Sequence, residues 1–124
     1  MRRRTKTLTD QELAIMKLVW ERERGVTVRD IYEALLAHRK VAYTTVMTMM
    51  RILEQKGFLK KSQDERAYVY RPAQPKGQVI GAMVREFINR VFNGSAEPLL
   101  VHLVEEHHLS QKDLEEIARL RRKS

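Results

Sequence analysis

The chain has 124 residues, 43% of them apolar and 32% charged, enough for one folded domain or a small domain with an appendage. It carries no cysteine, which excludes disulfides, thiolate metal sites and thiol redox switching, and no apolar run approaches the ~20 residues of a membrane span. The net charge of +8 is unevenly placed, because residues 1–72 hold 16 Lys and Arg against 9 Asp and Glu, whereas residues 73–124 hold 8 against 7. That asymmetry predicts a first part that binds a polyanion and a second part with another task.

Met1 to Lys6 form a basic arm without periodicity, read either as a frayed terminus or as a source of extra phosphate contacts. No hydrophobic stretch follows the arm, so no secretory signal is expected and the cytoplasm is the expected compartment. Thr9 and Glu12 have the spacing of a capping box, with Leu8 placed as a hydrophobic staple. Leu13, Ile15, Met16, Val19 and Trp20 then make a broad apolar stripe. They predict a helix to about Arg22 that buries Trp20 and is broken by Gly25. Thr27 caps a second helix whose Ile31 and Leu35, with Tyr32 and Ala34, face inward through about His38. His38, Arg39 and Lys40 form a basic turn.

The third helix, from Ala42 to Gly57, organises the rest. Val46, Met49, Met50 and Leu53 recur at i, i+3, i+4, i+7 and predict one apolar face. The opposite face carries Thr44, Thr48 and Arg51, flanked by Thr45 and Met47. Thr is a mediocre helix former, so its repetition on a solvated face calls for a reason. Hydroxyls bond base edges and phosphates, methyls pack on thymine, and Arg pairs with phosphate or guanine. A plain cap followed by a core helix accounts for Thr44 or Thr45 but not for both together with Thr48.

Residues 58–61 and 67–71 predict two short strands around a Ser62–Arg66 loop, with Tyr68 and Tyr70 on one strand face and Ala67, Val69 and Arg71 on the other. Three helices and a hairpin are the order of a winged helix-turn-helix, in which the third helix enters the major groove and the hairpin lies along the backbone. The candidate DNA-contacting residues are therefore Tyr43, Thr44, Thr45, Thr48 and Arg51 on the helix and Lys60, Lys61 and Arg66 on the hairpin. The fold class expected is mainly α with a small β-hairpin, dividing into a winged-helix DNA-binding domain over residues 1–72 and a three-helix dimerisation region over residues 73–124.

Pro72 to Pro75 end the hairpin. Beyond them Val79, Ile80, Met83, Val84, Phe87, Ile88, Val91 and Phe92 crowd one helix that stops near Asn93-Gly94. Ser95 is read as opening a short helix with Leu99, Leu100, Leu103 and Val104, and Ser110 as starting a last one. About fifty residues are near the lower limit for an independent core, so a second copy is expected to cover the excess apolar surface. Ile80, Val84, Phe87, Ile88, Val91, Leu100 and Leu103 are the candidate dimer contacts.

Taken together, Leu8-Thr9 with Glu12 and Leu13, Val19-Trp20, the Ala42-Tyr43-Thr44-Thr45-Val46 block with Thr48, Leu53 with Lys56-Gly57, and Arg66-Ala67-Tyr68 with Tyr70 resemble the penicillinase-repressor family (BlaI/MecI/CopY type) of bacterial transcription regulators. The resemblance runs from Leu8 to about Arg122. It implies a homodimer that reads a dyad-symmetric, double-stranded DNA operator, with recognition residues at Thr44, Thr45 and Thr48. It also implies release by cutting within the helical region, with a membrane sensor protease as the further partner. Members that respond to copper use C-terminal cysteines, which this chain lacks. Members cut in response to beta-lactams are cleaved at an Asn-Phe bond, where this chain has His102-Leu103.

No Gly-rich phosphate loop or catalytic constellation is present, so an enzyme is not expected. His102, His107 and His108 fall short of the three or four convergent ligands of a zinc site, so neither metal nor cofactor is expected. The alternatives are a winged helix used for protein contacts and a repressor with a ligand pocket between dimer helices.

Overall fold

The computed structural model describes residues 7–123, so the basic arm of residues 1–6 lies outside the described residues. The elements are α1 (Asp10–Trp20), α2 (Val28–Leu36), α3 (Tyr43–Gln55), β1 (Leu59–Asp64), β2 (Ala67–Pro72), α4 (Lys76–Phe92), α5 (Glu97–His107) and α6 (Gln111–Lys123). They form two compact units, the first ending at Ile80 and the second beginning at Gly81. No helix among the described residues is long and apolar enough to cross a membrane.

The first unit is a winged helix whose helices start where side-chain chemistry dictates. Thr9 and Thr27 each accept from the backbone N–H three residues on, while Glu12 and Asp30 accept from the backbone of their caps. Glu12 has a second task. Its carboxylate accepts from Lys56 Nζ at 2.9 and 3.2 Å, and the same ammonium donates to the Thr7 carbonyl at 3.1 Å. Glu12 is only 5% exposed. Burial pushes its pKa up, but the Thr9 N–H and the Lys56 ammonium together outweigh burial and hold it below its ordinary 4.5. Lys56 is itself the C-cap of α3. Behind it Gly57 takes φ +90°, and the N–H groups of Gly57 and Phe58 close back on Glu54 and Leu53, the Schellman arrangement that stops the helix.

Ile15, Met16 and Val19 of α1, Ile31 of α2, Val46, Met50 and Leu53 of α3, and Leu59 of β1 make the centre of the core. Trp20 departs from its expected burial: it is half-buried, with Lys76 Nζ 6.0 Å above its ring and its Nε1 shielded without a partner. The first turn of α4 belongs with this unit through the buried Val79, and Gln74 Nε2 donates to the Gly57 carbonyl just before it.

The hairpin is longer and tighter than the sequence reading had it. β1 runs on to Asp64, pairing Ser62 with Val69, Gln63 with Tyr68 and Asp64 with Ala67. That leaves a turn of Glu65 and Arg66, with Glu65 at φ +58°. The strand alternation holds, but burial does not follow it. Tyr70 is 5% exposed and Tyr68, on the same face, is 57% exposed, because the hairpin projects past the core that covers Tyr70. Val26 and Tyr70 exchange both backbone hydrogen bonds, at 2.9 and 2.7 Å, so the segment after α1 lies beside β2 as a one-residue third strand. Gly25, read from the sequence only as a helix breaker, is needed for this approach: a Cβ there would run into Val69 Cγ1.

The second unit is built differently. Between Gly81 and Arg121 no residue is fully buried. α5 has Ala96 at its N-cap rather than the expected Ser95, without a side-chain cap bond, and His108 at its C-cap in the left-handed region. α6 does begin with the expected Ser110, which exchanges two capping bonds with Asp113. Phe92 stacks edge-on with Phe87 at 5.9 Å and lies 6.1 Å from the His102 ring.

Two outcomes follow for the first unit. Gly25→Ala should lower its unfolding free energy by about 1–3 kcal/mol, the range for an overpacked site, as read by denaturant titration. A Gly25→Ala chain as stable as wild type would show that the close approach is relaxed in solution. The lowered Glu12 pKa makes its contribution fully present above the unfolded value of 4.5 and lost as pH falls through the folded value. The stability difference between wild type and Glu12→Gln should therefore be flat above about pH 5 and shrink below pH 4.5, measured by thermal melting across pH.

Candidate nucleic-acid interface

α3 buries Val46, Met49, Met50 and Leu53 and turns its opposite side outward. Thr44, Thr48 and Arg51 lie on one line at spacings of four and three, all exposed, with Thr45 on one flank and Met47 and Tyr43 on the other. Gln55, one turn beyond Arg51, continues the same line and is exposed. Sequence reasoning passed over it, although its i+4 spacing from Arg51 and i+7 spacing from Thr48 was the available signal. The start of α3 has no side-chain cap and no acid in its first turn, so that turn itself presents no charge opposing an anion.

A groove of about 590 Å³ separates α3 from the hairpin and the start of α2. Arg29, Arg51 and Lys61 put three cations on its walls, and Tyr43, Met47 and Tyr68 supply aromatic and apolar surface. Arg29 was also missed from sequence, where it reads as a solvated helix charge. In the fold its guanidinium lies 5.9 Å from the Tyr43 ring and 3.5 Å from Glu33, while Tyr43 meets Tyr32 edge-on at 5.3 Å. Lys61 Nζ sits 4.5 Å from the Tyr68 ring centre and 3.9 Å from Glu54. Arg51, Lys60 and Arg66 have neither an ion pair nor a side-chain hydrogen bond among the described residues.

The structure thus brings Tyr43 and Arg51 together with Lys61 in one groove, keeps Thr44 and Thr48 exposed on the α3 line beside it, and leaves Arg66 at the hairpin tip. Lys60, next to Lys61 on β1, takes the other strand face and does not line the groove. Of the residues proposed for dimer contacts, Ile80, Val84, Phe87, Val91 and Leu100 are exposed in the single chain, and Ile88 and Leu103 are half-covered. Val101, Val104, Leu114 and Ile117 add exposed apolar surface beyond the candidate dimer contacts. His102 and Leu103 occupy the middle of α5, so the bond between them is helical.

This geometry has relatives. The pattern of the penicillinase repressor family matches residues 8–123. The chain is 39% identical to the transcriptional regulator BlaI of Mycobacterium tuberculosis over 99 residues, covering 79% of this chain and 72% of that protein. It is 26% identical to the penicillinase repressor of Bacillus licheniformis over 110 residues, or 89% of this chain and 85% of that one. The solution structure of the DNA-binding domain of the repressor BlaI superposes with a TM-score of 0.52 at 24% identity, covering 60% of this chain and 90% of that domain, and supports the fold. The monomeric form of Bacillus licheniformis BlaI in complex with the blaP half-operator gives a TM-score of 0.51 at 25% identity, covering 57% of this chain and 85% of that one. With a match over nearly the whole of its length, the chain belongs to the penicillinase repressor family.

Proposed function

We propose that the chain is a cytoplasmic, DNA-binding transcriptional repressor that holds a dyad-symmetric operator as a homodimer and is released by cleavage in α5. Membership of a family of repressors makes it a regulator and not an enzyme. The observation that carries the DNA reading is the exposed line of Thr44, Thr48, Arg51 and Gln55 on α3, set beside a groove walled by Arg29, Arg51 and Lys61. Hydroxyl, amide and guanidinium groups at one-turn intervals suit base edges in a major groove, and the flanking cations suit the phosphates on either side. A relative bound to a half-operator supports the same assignment. In this reading Thr44, Thr45, Thr48 and Gln55 face bases, while Arg29, Arg66 and the hairpin meet the backbone.

The dimer reading rests on the second unit. Val84, Phe87 and Val91 are 45%, 40% and 48% exposed on one stripe of α4, at i, i+3 and i+7. A stripe of that kind, on a unit with no buried residue from Gly81 to Arg121, is what a second copy would cover. Release by cutting follows from avidity. Two linked winged helices hold two half-sites at a high effective concentration, and severing the link removes that gain without touching a DNA contact. α5, with no side-chain N-cap and no buried residue, is the place where a membrane sensor protease would find the chain easiest to open.

Selection of tight duplexes from a randomised pool, followed by titration of variants, tests the division of roles. Thr48→Ala should cost roughly 1–3 kcal/mol on the selected sequence and relax preference at one position of each half-site. Arg66→Ala should weaken selected and random duplexes alike and make the salt slope shallower by about one unit. If both variants shifted both duplexes equally, base and backbone roles would not be divided this way. If binding proved insensitive to salt, the protein-contact alternative would be the better reading.

Sedimentation tests the assembly. Wild type should sediment as a dimer at micromolar concentration and Phe87→Asp as a monomer, because the new carboxylate would be buried unpaired. A chain truncated after Val101 should lose most operator affinity while keeping the half-site affinity of a single winged helix. A truncated chain that stayed dimeric and bound as tightly as wild type would remove cleavage as the off-switch.

A further inference from the structure

Tyr68 stands out in the first unit as the most exposed of its large hydrophobic side chains, and neither the core nor the charge pattern explains it. It shares a strand face with the buried Tyr70, two residues nearer the hairpin tip, and is 57% exposed among the described residues. It is nonetheless held. Lys61, diagonal to it across the hairpin and opposite Tyr70, places its ammonium 4.5 Å from the ring centre and lies 3.9 Å from Glu54 of α3. An aromatic ring kept in one orientation, uncovered and facing a cation-lined groove, is pre-organised for a partner that is anionic and has apolar surface between its charges. Duplex DNA meets both conditions, since its deoxyribose rings lie between successive phosphates.

We propose that Tyr68 is a DNA-contacting residue that packs its ring against the sugar face of the duplex backbone beside the major groove occupied by α3, with Lys61 and Glu54 as positioning residues. The proposal rests on the DNA-binding reading above and adds to it an apolar contact where only charges had been assigned to the hairpin. Such a contact releases no counterion, so it adds affinity without adding to the salt dependence. It is also indifferent to sequence, because every nucleotide presents the same sugar.

The test is a titration of the full chain with a mixed-sequence duplex at several salt concentrations. Wild type is measured first, and a wild type that bound no duplex would overturn the DNA-binding reading itself. Tyr68→Ala is expected to bind about tenfold more weakly with an unchanged salt slope, and Tyr68→Phe to bind as wild type. Lys61→Met is expected to weaken binding less than Tyr68→Ala does. Tyr68→Trp keeps a ring in place and gives a second readout, with its indole emission quenched on duplex addition beyond any change seen in wild type. Unchanged affinity in Tyr68→Ala would overturn the proposal. So would a loss accompanied by a shallower salt slope, which would mean that the ring acts only by holding a phosphate-binding cation. Tight binding by Tyr68→Trp with unmoved emission would overturn it too, independently of how well the alanine variant folds.

Discussion

The hydrogen-bonded ion pair between Glu12 and Lys56 fixes the geometry on which the outward face of α3 depends. Glu12 belongs to the first turn of α1 and Lys56 caps the end of α3, so one carboxylate closes the first helix and anchors the third. A buried pair is a poor source of net stability, since desolvation consumes most of its attraction. Its value is positional. Lys56 reaches both carboxylate oxygens and the Thr7 carbonyl, and each of these bonds constrains where the C-terminal end of α3 can lie. Rotation of α3 about its axis would swing the shared direction of Thr44, Thr48 and Arg51 away from the hairpin. The pair opposes that rotation from the C-terminal end of the helix.

Around this anchor the first unit divides its labour between ends and faces. α1 and α2 are closed by reciprocal caps, α3 is closed at its C-terminal end by Gly57, and its N-terminal end is left open. The hairpin is held at its root by Tyr70 and Leu59 in the core and at its middle by Lys61 reaching across to Glu54. Its tip is free. The groove therefore has one wall built on a helix and one built on a hairpin that is held at its root and middle.

Local rules made much of this legible from sequence. Thr9 with Glu12, Thr27 with Asp30, and Lys56 with Gly57 specify helix ends by chemistry that acts over a few residues, and the 3.6-residue period of α3 separates its faces without help from the rest of the fold. What sequence did not disclose depends on contacts between distant residues. Gly25 looked like punctuation because its neighbour Val69 is far along the chain. Arg29 carries no local signal of Tyr43, which lies 5.9 Å away only in the fold. Tyr68 and Tyr70 look equivalent by alternation, and only the extent of the core decides that one is covered and the other is not. Trp20 illustrates the same limit, since its partial cover comes from the first turn of α4. The Ser62–Arg66 loop was overdrawn because polar residues on a projecting hairpin carry no hydrophobic signal to mark them as strand.

The absence of any fully buried residue between Gly81 and Arg121 has a consequence for how such a chain behaves at low abundance. A unit that does not enclose its own apolar side chains draws its stability from mass action when a second copy provides the cover. Dilution then reduces not only the number of paired molecules but also the order within each unpaired arm, leaving it open to degradation. Copy number and turnover would be coupled: each copy of a scarce protein would be cleared faster than each copy of an abundant one, so the level would respond more than proportionally to the rate of synthesis. That amplification would need no inducer and would follow from three helices with too little core of their own.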